Sequence, residues 1–554
     1  MKKCVYKGKQ TTLLDKEFLA SGGEGDVFLH AGLIFKIYHN PLRNDFVKKI
    51  GELFVLDHPN IIRPLDIVYG LANEPIGYTM NYADNTANLP LLFTTSYITR
   101  NNITLQATQT LVGEIMKTAE FIHSKKCLIV DANEFNTLVD KATYAKPFLI
   151  DVDSFETPSF PATAIMPSIR DYTASKFTEL TDFYSLGVIT FQLFTGIHPY
   201  KGKHPSLKTI EERCKNHISV LNKDVSTPPS VRDFAAIPPN YFSWYEDLFE
   251  KGLRTPPPDM TSAVQMRAKR KYVSAAFNIE KVFQAGEPIK AVDWLYGNCI
   301  VMTENYVYVN TKQFDRHDKH SVVVASIDGV LYEAYFTANG LILVDIFRKI
   351  SQGDPSHMAN KWFAAGGRLE LIYESQLMEI EIRKMGDKVI ALTSHVQPIA
   401  EQSSQVFTNV VYANIFGKAF FYIPCAPKAV AVWPCPLLNH KRVLDAINDK
   451  EQTIVIAADP DGTIKRYRLS VAGDGGRFEE VEEIAMQETN TIMLSNGISI
   501  TYDSVEDQID LAPVSQNNHK VVKGAGLPQG ASLVVTGTTA HYFVDDSLYK
   551  FSMR

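Results

Sequence analysis

The chain has 554 residues, 45% hydrophobic and 21% charged, an ordinary globular composition with room for about two to four domains. A formal net charge of −6 excludes a chain-wide pull toward nucleic acid or anionic membrane. Six scattered cysteines with no CxxC pair and no zinc-spaced histidines predict free thiols in a reducing compartment.

"MKKCVYKGKQ" starts basic but has no apolar stretch behind it, and no run of about 18 apolar residues occurs. A cytoplasmic protein is the expectation, with neither membrane nor nucleic acid as partner. Residues 10–83 read as short strands and one helix: "EFLASGGEGDVFLH", "LIFKIYH", the helical "NDFVKKIGELFVL", then "IIRPLDIVYG" and "IGYTMNYA". From 103 to 265 the apolar spacing turns helical, as in "LQATQTLVGEIMKTAEFIHSKK" and "DFYSLGVITFQLFTG". A basic run, "MRAKRKY" at 266–272, is read as a solvated linker rather than a nucleic-acid or lipid patch. Strands follow to the last residue.

Within that last region, hairpins with aromatic strands recur, as in "CIVMTENYVYV", "SVVVASIDGVLYEAYF" and "IVIAADPDGTIKRYRL". Asp328-Gly329, Asp461-Gly462 and Asn496-Gly497 supply the positive φ that tight hairpins need. A repeat of about 40 residues fits a β-propeller of roughly six or seven four-stranded blades, with a pair of β-sandwiches as the alternative. Trp294, Trp362 and Trp433 are expected in its packing. The fold class is therefore multidomain, α+β followed by all-β, with boundaries at 1–83, 84–265, a linker at 266–285 and 286–554.

Chemistry concentrates before residue 265. In "LASGGEGDVF", Gly22, Gly23 and Gly25 lead into a strand with Val27, a hairpin able to fold tightly over phosphates. It lacks the GK[ST] ending of a Walker loop and does not open a helix. Lys36 lies inside the apolar strand "LIFKIY"; if buried it needs an anion, and Glu52 on the next helix is a candidate. In "CLIVDANEFNTLV", Asp131 and Asn136 are five residues apart across a loop, and Asp151 ends the apolar run "PFLI". Two adjacent strands would carry that amide and that carboxylate toward one metal.

In order and spacing, these residues resemble the protein-kinase superfamily over residues 10–265. Gly22, Gly25 and Val27 match the later part of its glycine-rich loop, and Lys36 its strand lysine. "DHPNIIRPLDI" looks like the entry to its fourth strand. Asp131 and Asn136 match the catalytic loop, Asp151 the metal-binding aspartate that opens D-F-G, and Asp182 in "TDFYSLGVITFQLFTGIHPYKG" the buttress of that loop. The resemblance implies a bilobal kinase-like fold, ATP and Mg²⁺ as cofactors, and γ-phosphate transfer to Ser/Thr hydroxyls. It gives Lys36 to the α/β-phosphates with Glu52 to fix that lysine, Asn136 and Asp151 to Mg²⁺, and Asp131 to the acceptor hydroxyl; Gly23 and Met80 complete the nucleotide positions. A protein substrate or regulator, docked through the propeller, is the partner implied.

Departures from the pattern are equally specific. Ala20 replaces the first loop glycine, and H-R-D reads Ile129-Val130-Asp131, so no arginine receives an activation-loop phosphate even though Thr173 and Ser175 lie in that segment. Asn133 stands where Ser/Thr kinases carry a lysine, able to hydrogen-bond the γ-phosphate but without charge. Asp153 replaces the D-F-G glycine, with a turn cap as its expected role and metal ligation as the alternative. "DANEFN" and "DVDSFE" look like a divergent bacterial and phage branch. Lys176 and Asp259 fall at the family's buried glutamate and arginine, predicting an ion pair of reversed sign. His123 reads as a helix C-terminal histidine. A pseudokinase scaffold and a small-molecule kinase of the aminoglycoside or choline type are the competing readings.

Overall fold

The computed structural model describes the chain apart from residues 23, 41–43, 163–164, 229, 261–273, 275, 387, 426–428, 450–451, 471–476, 484–488, 495–497, 505, 514–519, 529 and 537–538. Gly23, the "MRAKRKY" run and the Asn496-Gly497 turn lie outside the described residues.

The first strands are β1 (Lys2–Tyr6), β2 (Lys9–Leu13), β3 (Phe18–Ser21), β4 (Gly25–His30), β5 (Leu33–Tyr38), β6 (Pro64–Tyr69) and β7 (Pro75–Asn81). They form one sheet in the order β2-β1-β6-β7-β5-β4-β3. Phe35 and Ile37 of β5 join a core with Phe18, Phe28 and Val68. Alternation puts Lys36 and Tyr38 on the other face, where Val27 and Tyr78 flank Lys36 in register. Helix α1 (Asn44–Leu53) follows β5 and buries Ile50 and Leu53.

The helical part holds α2 (Thr95–Arg100), α3 (Leu105–Ser124), α4 (Glu179–Thr195), α5 (Ile210–Lys215) and α6 (Pro239–Phe249), with β8 (Thr86–Asn88), β9 (Thr137–Asp140) and β10 (Pro147–Leu149) as a small sheet. Thr178 caps α4 in a reciprocal box with Thr181, and Gly196 at φ +75° ends it, so both limits of this helix are written locally. Helix α4 is buried along almost its whole length, which explains its weak amphipathic pattern. At Gly187 a Cβ would lie 2.7 Å from Leu248 Cδ1, so glycine lets α4 and α6 approach.

Residues 277–553 form seven four-stranded antiparallel sheets. In chain order they span 291–315, 322–354, 361–398, 404–434, 442–483, 491–523 and 532–553. The seventh is completed by Phe277–Gln284, which pairs with Ser547–Met553; part of the stretch read as linker is thus a strand of a sheet built at the other end of the chain. Apolar clusters join first to second, second to third, third to fourth, fourth to fifth and sixth to seventh. Another joins the seventh back to the first through Phe543, Leu548, Val301 and Tyr308. Between fifth and sixth the link is polar, with Arg466 3.3 Å from Asp510. Asp328-Gly329 and Asp461-Gly462 turn with glycine φ of +78° and +84°. Trp362 and Trp433 pack as expected, whereas Trp294 is 39% exposed. The chain is multidomain and predominantly β, and among the described residues no helix is long and apolar enough to cross a membrane.

Glu370 in the third sheet is fully buried opposite Glu379, and neither of its carboxylate oxygens has a hydrogen-bond partner. Burial and the Glu379 charge push it up to about 8. Because its folded pKa exceeds the unfolded one, it stays protonated without cost in acid and destabilises the fold as pH rises from the ordinary glutamate range to about 8. Glu370→Met is expected to raise the thermal midpoint more at pH 8.5 than at pH 4; an equal gain at both pH values would refute this.

Candidate active site

Lys36 reaches the cleft from β5, and its ammonium is held by Asp151 Oδ1 at 2.7 Å and by Asp153 Oδ2 at 2.8 Å and Oδ1 at 3.0 Å. Asp153 also accepts the hydroxyls of Tyr38 and of Tyr78, the latter at 2.9 Å. Burial opposes the charge on Lys36, but Tyr78, Asp153 and Asp151 outweigh it and hold the pKa well above the lysine range. Desolvation raises Asp153 too, yet Lys36 and the two hydroxyls more than offset it, so this carboxylate stays charged. Asp151 shares only Lys36, and burial together with the Asp153 charge drives it up.

Glu52 does not meet Lys36. Its Oε2 accepts the Ser159 N–H at 3.2 Å on the surface. The residue of α1 that does sense the site is Lys49, on which Asp153, Glu24 and Asp151 act. The helix therefore offers a cation where a carboxylate was expected, and Asp153 supplies the anion instead. The turn-cap role expected of Asp153 falls to Ser154, whose N–H and Oγ both reach the Asp151 carbonyl, at 3.1 and 2.8 Å. The sequence does carry a signal for this: Lys36 and Tyr38, like Asp151 and Asp153, are two residues apart.

At the glycine hairpin the Gly22 N–H donates to the Gly25 carbonyl at 2.9 Å. A Cβ at Gly25 would lie 2.6 Å from the Ile37 carbonyl oxygen, so only glycine allows this approach of β4 to β5. Val27 lies beside Lys36 in register, and Met80 is opposite Ile34 on β7, packed against the core that runs into the helical part.

Antiparallel pairing of β9 with β10 sets Leu149 against Thr137, and the Ile150 N–H donates to the Asn136 carbonyl at 2.9 Å. Asn136 and Asp151 are thereby neighbours across the strand ends. Asn136 Nδ2 is used by the Asp131 carbonyl at 3.2 Å, which leaves its Oδ1 for a cation. An amide oxygen next to a carboxylate raised by a second negative charge is a hard-oxygen set that fits Mg²⁺. Asp151 itself sits at φ +59°, a left-handed conformation that aspartate tolerates.

Asp131 is engaged on both oxygens: Oδ1 accepts the Met166 N–H and Oδ2 the Asn133 amide, each at 2.8 Å. Burial pushes its pKa up against these two donors, and Asp151 adds to the rise. Asn133 Oδ1 accepts the Phe135 N–H at 2.8 Å, so that side chain is fully committed to the loop. Beneath the loop, buried Asp182 accepts the N–H groups of Ile129 at 2.7 Å and Val130 at 2.9 Å, with Val130 held at φ +59°. The third partner of Asp182 is His123 Nε2 at 2.9 Å; that histidine stands in the last turn of α3, as expected, and is buried.

The reversed ion pair does not form: Lys176 and Asp259 are not within 4.0 Å of each other. Asp171 and Arg254 take its place with ordinary signs, at 2.6 and 3.0 Å, and Thr173 Oγ1 donates to Asp171 at 2.7 Å while accepting from Arg254 at 3.1 Å. Arg254 and Asp171 lie five positions before the residues chosen from sequence, an offset that similar neighbours in "RDYTASKF" and "RTPPPDMTSA" concealed.

Groups from the seven sheets reach this region, and nothing in the sequence marks them. Arg442 Nη1 donates to the Phe135 carbonyl at 3.1 Å. Phe416 packs against Phe18 of β3 with ring centroids 4.5 Å apart and the planes tilted by 44°. Farther out, Lys203 pairs with Glu506, and Lys290 donates to the Arg100 carbonyl at 2.7 Å. A cavity of about 730 Å³ separates the helical part from the fifth, sixth and seventh sheets, with Glu134, Ser168, Tyr172, Asp461 and Asn490 in its walls.

No family model matches the chain. Among curated proteins, it is 26% identical over 203 residues to a protein of Acanthamoeba polyphaga mimivirus named as a candidate serine/threonine-protein kinase, covering 33% of this chain and 70% of that one. It is 26% identical over 153 residues to a mitogen-activated protein kinase kinase kinase of Caenorhabditis elegans, and 25% identical over 224 residues to developmentally-regulated protein kinase 1 of Dictyostelium discoideum. The matches cover 27% and 30% of those two relatives, and 26% and 36% of this chain. The chain thus carries a region similar to protein kinases.

Proposed function

We propose that residues 1–265 form a bilobal protein-kinase fold that transfers the γ-phosphate of ATP to a Ser/Thr hydroxyl, and that the seven sheets are the blades of a propeller that docks the substrate protein or a regulator. The observation that carries the reading is the joining of Lys36 and Asp151 across 115 residues, beside a loop whose backbone Asp182 holds in place. Ring-wise clusters, together with closure of the last sheet by Phe277–Gln284, support the propeller.

In this reading the acceptor oxygen forms a bond to the γ-phosphorus while the bond to the bridging oxygen of ADP breaks, the electron pair leaving with ADP. Asp131 takes the hydroxyl proton, for which its raised pKa suits it. Lys36 orients the α/β-phosphates, and Asn136 and Asp151 would hold Mg²⁺, which when bound offsets phosphate charge. The Met166 N–H has to leave Asp131 Oδ1 before an acceptor can use that oxygen. The cavity beside Glu134 supports entry of the acceptor segment between the helical part and the propeller.

A scaffold reading is favoured by one observation, the full engagement of Asp131 by Met166 and Asn133. Incubation with γ-labelled ATP and Mg²⁺ tests both. The expected result is label on the wild type or on lysate protein, lost with Asp131→Ala and Asp151→Asn. No label with the wild type would favour the scaffold.

A further inference from the structure

Phosphoryl transfer spreads negative charge over the γ-phosphate oxygens, and a site that performs it needs positive charge on the catalytic-loop side as well as at Lys36. The loop itself offers none. Asn133 is neutral and tied to Asp131 and Phe135. Lys36 is committed to Asp151 and Asp153. Lys49, on α1, is desolvated by its surroundings, which lowers its pKa against the charges of Asp153, Glu24 and Asp151.

Arg442, the first residue of the fifth sheet, fills this gap from another part of the chain. Its guanidinium lies over the Phe135 ring, 4.8 Å from the centroid, and Nη1 donates to the Phe135 carbonyl at 3.1 Å. Phe135 stands between Glu134 and Asn136 in a single 3-10 turn, so the guanidinium is seated on the residue next to the candidate metal ligand. Leu444, Ile456, Ala458 and Ile464 pack around Phe135 and fix the fifth sheet on this turn. Solvent still reaches Arg442, as it reaches the Asp151 side chain at 43% exposure. Arginine retains its charge in such surroundings and presents five donors, of which only the Nη1 contact is used by Phe135. Desolvation by the surrounding protein lowers its pKa from the ordinary arginine value, and the Asp151 and Glu134 carboxylates oppose that shift.

We propose that Arg442 belongs to the phosphoryl-transfer site and supplies, from the seven-sheet part, the cation that the catalytic loop lacks, so that the site is complete only while the fifth sheet is docked on that loop. This rests on the kinase reading above. It predicts that charge at position 442 matters beyond the packing it provides, and that its effect falls on the transferring phosphoryl group more than on ADP.

The full chain is tested in two ways: steady-state phosphorylation with γ-labelled ATP, and calorimetric affinity for Mg²⁺-ADP with and without aluminium fluoride, which stands in for the transferring group and needs no turnover. Wild type is expected to gain affinity on adding aluminium fluoride. Arg442→Met, which keeps the stem over Phe135, is expected to lose that gain and roughly 10²-fold in kcat, with KM for ATP and affinity for ADP alone within about twofold. Arg442→Lys should recover part of both. Lys290→Ala, which removes the contact with the Arg100 carbonyl across the same interface, should leave both unchanged. Retention of the fluoride gain in Arg442→Met overturns the proposal, as does an equal loss in Lys290→Ala, since the interface alone would then be responsible. A wild type that binds no ADP overturns the kinase reading, and this proposal falls with it; a wild-type fluoride gain that Arg442→Met preserves overturns this proposal alone.

Discussion

Asp182→Ala is expected to destabilise the helical part by about 3–5 kcal/mol, the range for breaking a buried charged network by removing one partner. Asp182 is 1% exposed and accepts three donors: Ile129 N–H, Val130 N–H and His123 Nε2. Alanine would leave all three buried without an acceptor in a core that excludes water. It would also release Val130, a β-branched residue held at φ +59° against its preference, and with it the approach of Asp131 to the cleft. The expected measurements are a lower denaturant midpoint and no phosphotransfer at temperatures where the variant is still folded. Asp182→Asn keeps one acceptor oxygen and should lose less stability. A midpoint equal to wild type in Asp182→Ala would show that the carboxylate does not hold the loop.

Asp153→Asn is expected to lower kcat/KM for ATP by roughly 10²-fold, while Glu52→Gln stays within about twofold of wild type. Lys36 is 8% exposed and depends on Asp151 and Asp153 for its charge and its aim; Glu52 is bonded to the Ser159 backbone instead. With Asp153 neutral, Lys36 is left to Asp151 alone, the group a metal ion would also claim. The opposite pattern, loss with Glu52→Gln and none with Asp153→Asn, would restore the helix glutamate to the role that Asp153 has here.

The pH dependence separates these groups. Asp153 is held below the ordinary aspartate range, so its contribution to stability is present above the unfolded pKa and disappears only as pH falls through the lower folded value. Lys36 is raised, so its contribution is complete below the ordinary lysine range and lost only at higher pH. Between these limits the ion pair does not titrate. The acid limb of the rate profile is therefore expected to report Asp131 and Asp151, both raised above the usual aspartate value, chiefly by burial. An acid limb at or below that value would place the essential base elsewhere.

Much of the site is local and could be read from the chain. Lys36 inside an apolar strand, Asp131 and Asn136 across a short loop, and Asp151 at the end of "PFLI" depend on strand alternation and on one hairpin, β9 with β10, whose register follows from proximity in sequence. The capping box and terminal glycine of α4 and the glycine turns at 329 and 462 are equally local.

Pairings between distant segments were not legible, because a charge in a sequence has many possible partners of opposite sign and the chain path selects one. Glu52 and Asp153 were both available to Lys36, and the facing of α1, which turns Lys49 toward the site, decided between them. Arg254 and Asp259 were both near the end of the helical part, and the buried position of Asp171 chose Arg254. Strand Phe277–Gln284 resembled a linker because its partner, Ser547–Met553, lies at the far end of the chain.

The chain alone sets a lysine, aspartates and an asparagine at spacings that need only neighbouring strands to converge. Only the tertiary structure decided which anion holds Lys36 and which cation stands beside the catalytic loop. Those choices depend on the docking of α1, of the 171–173 segment and of the fifth sheet, contacts between residues too far apart for any local pattern to record.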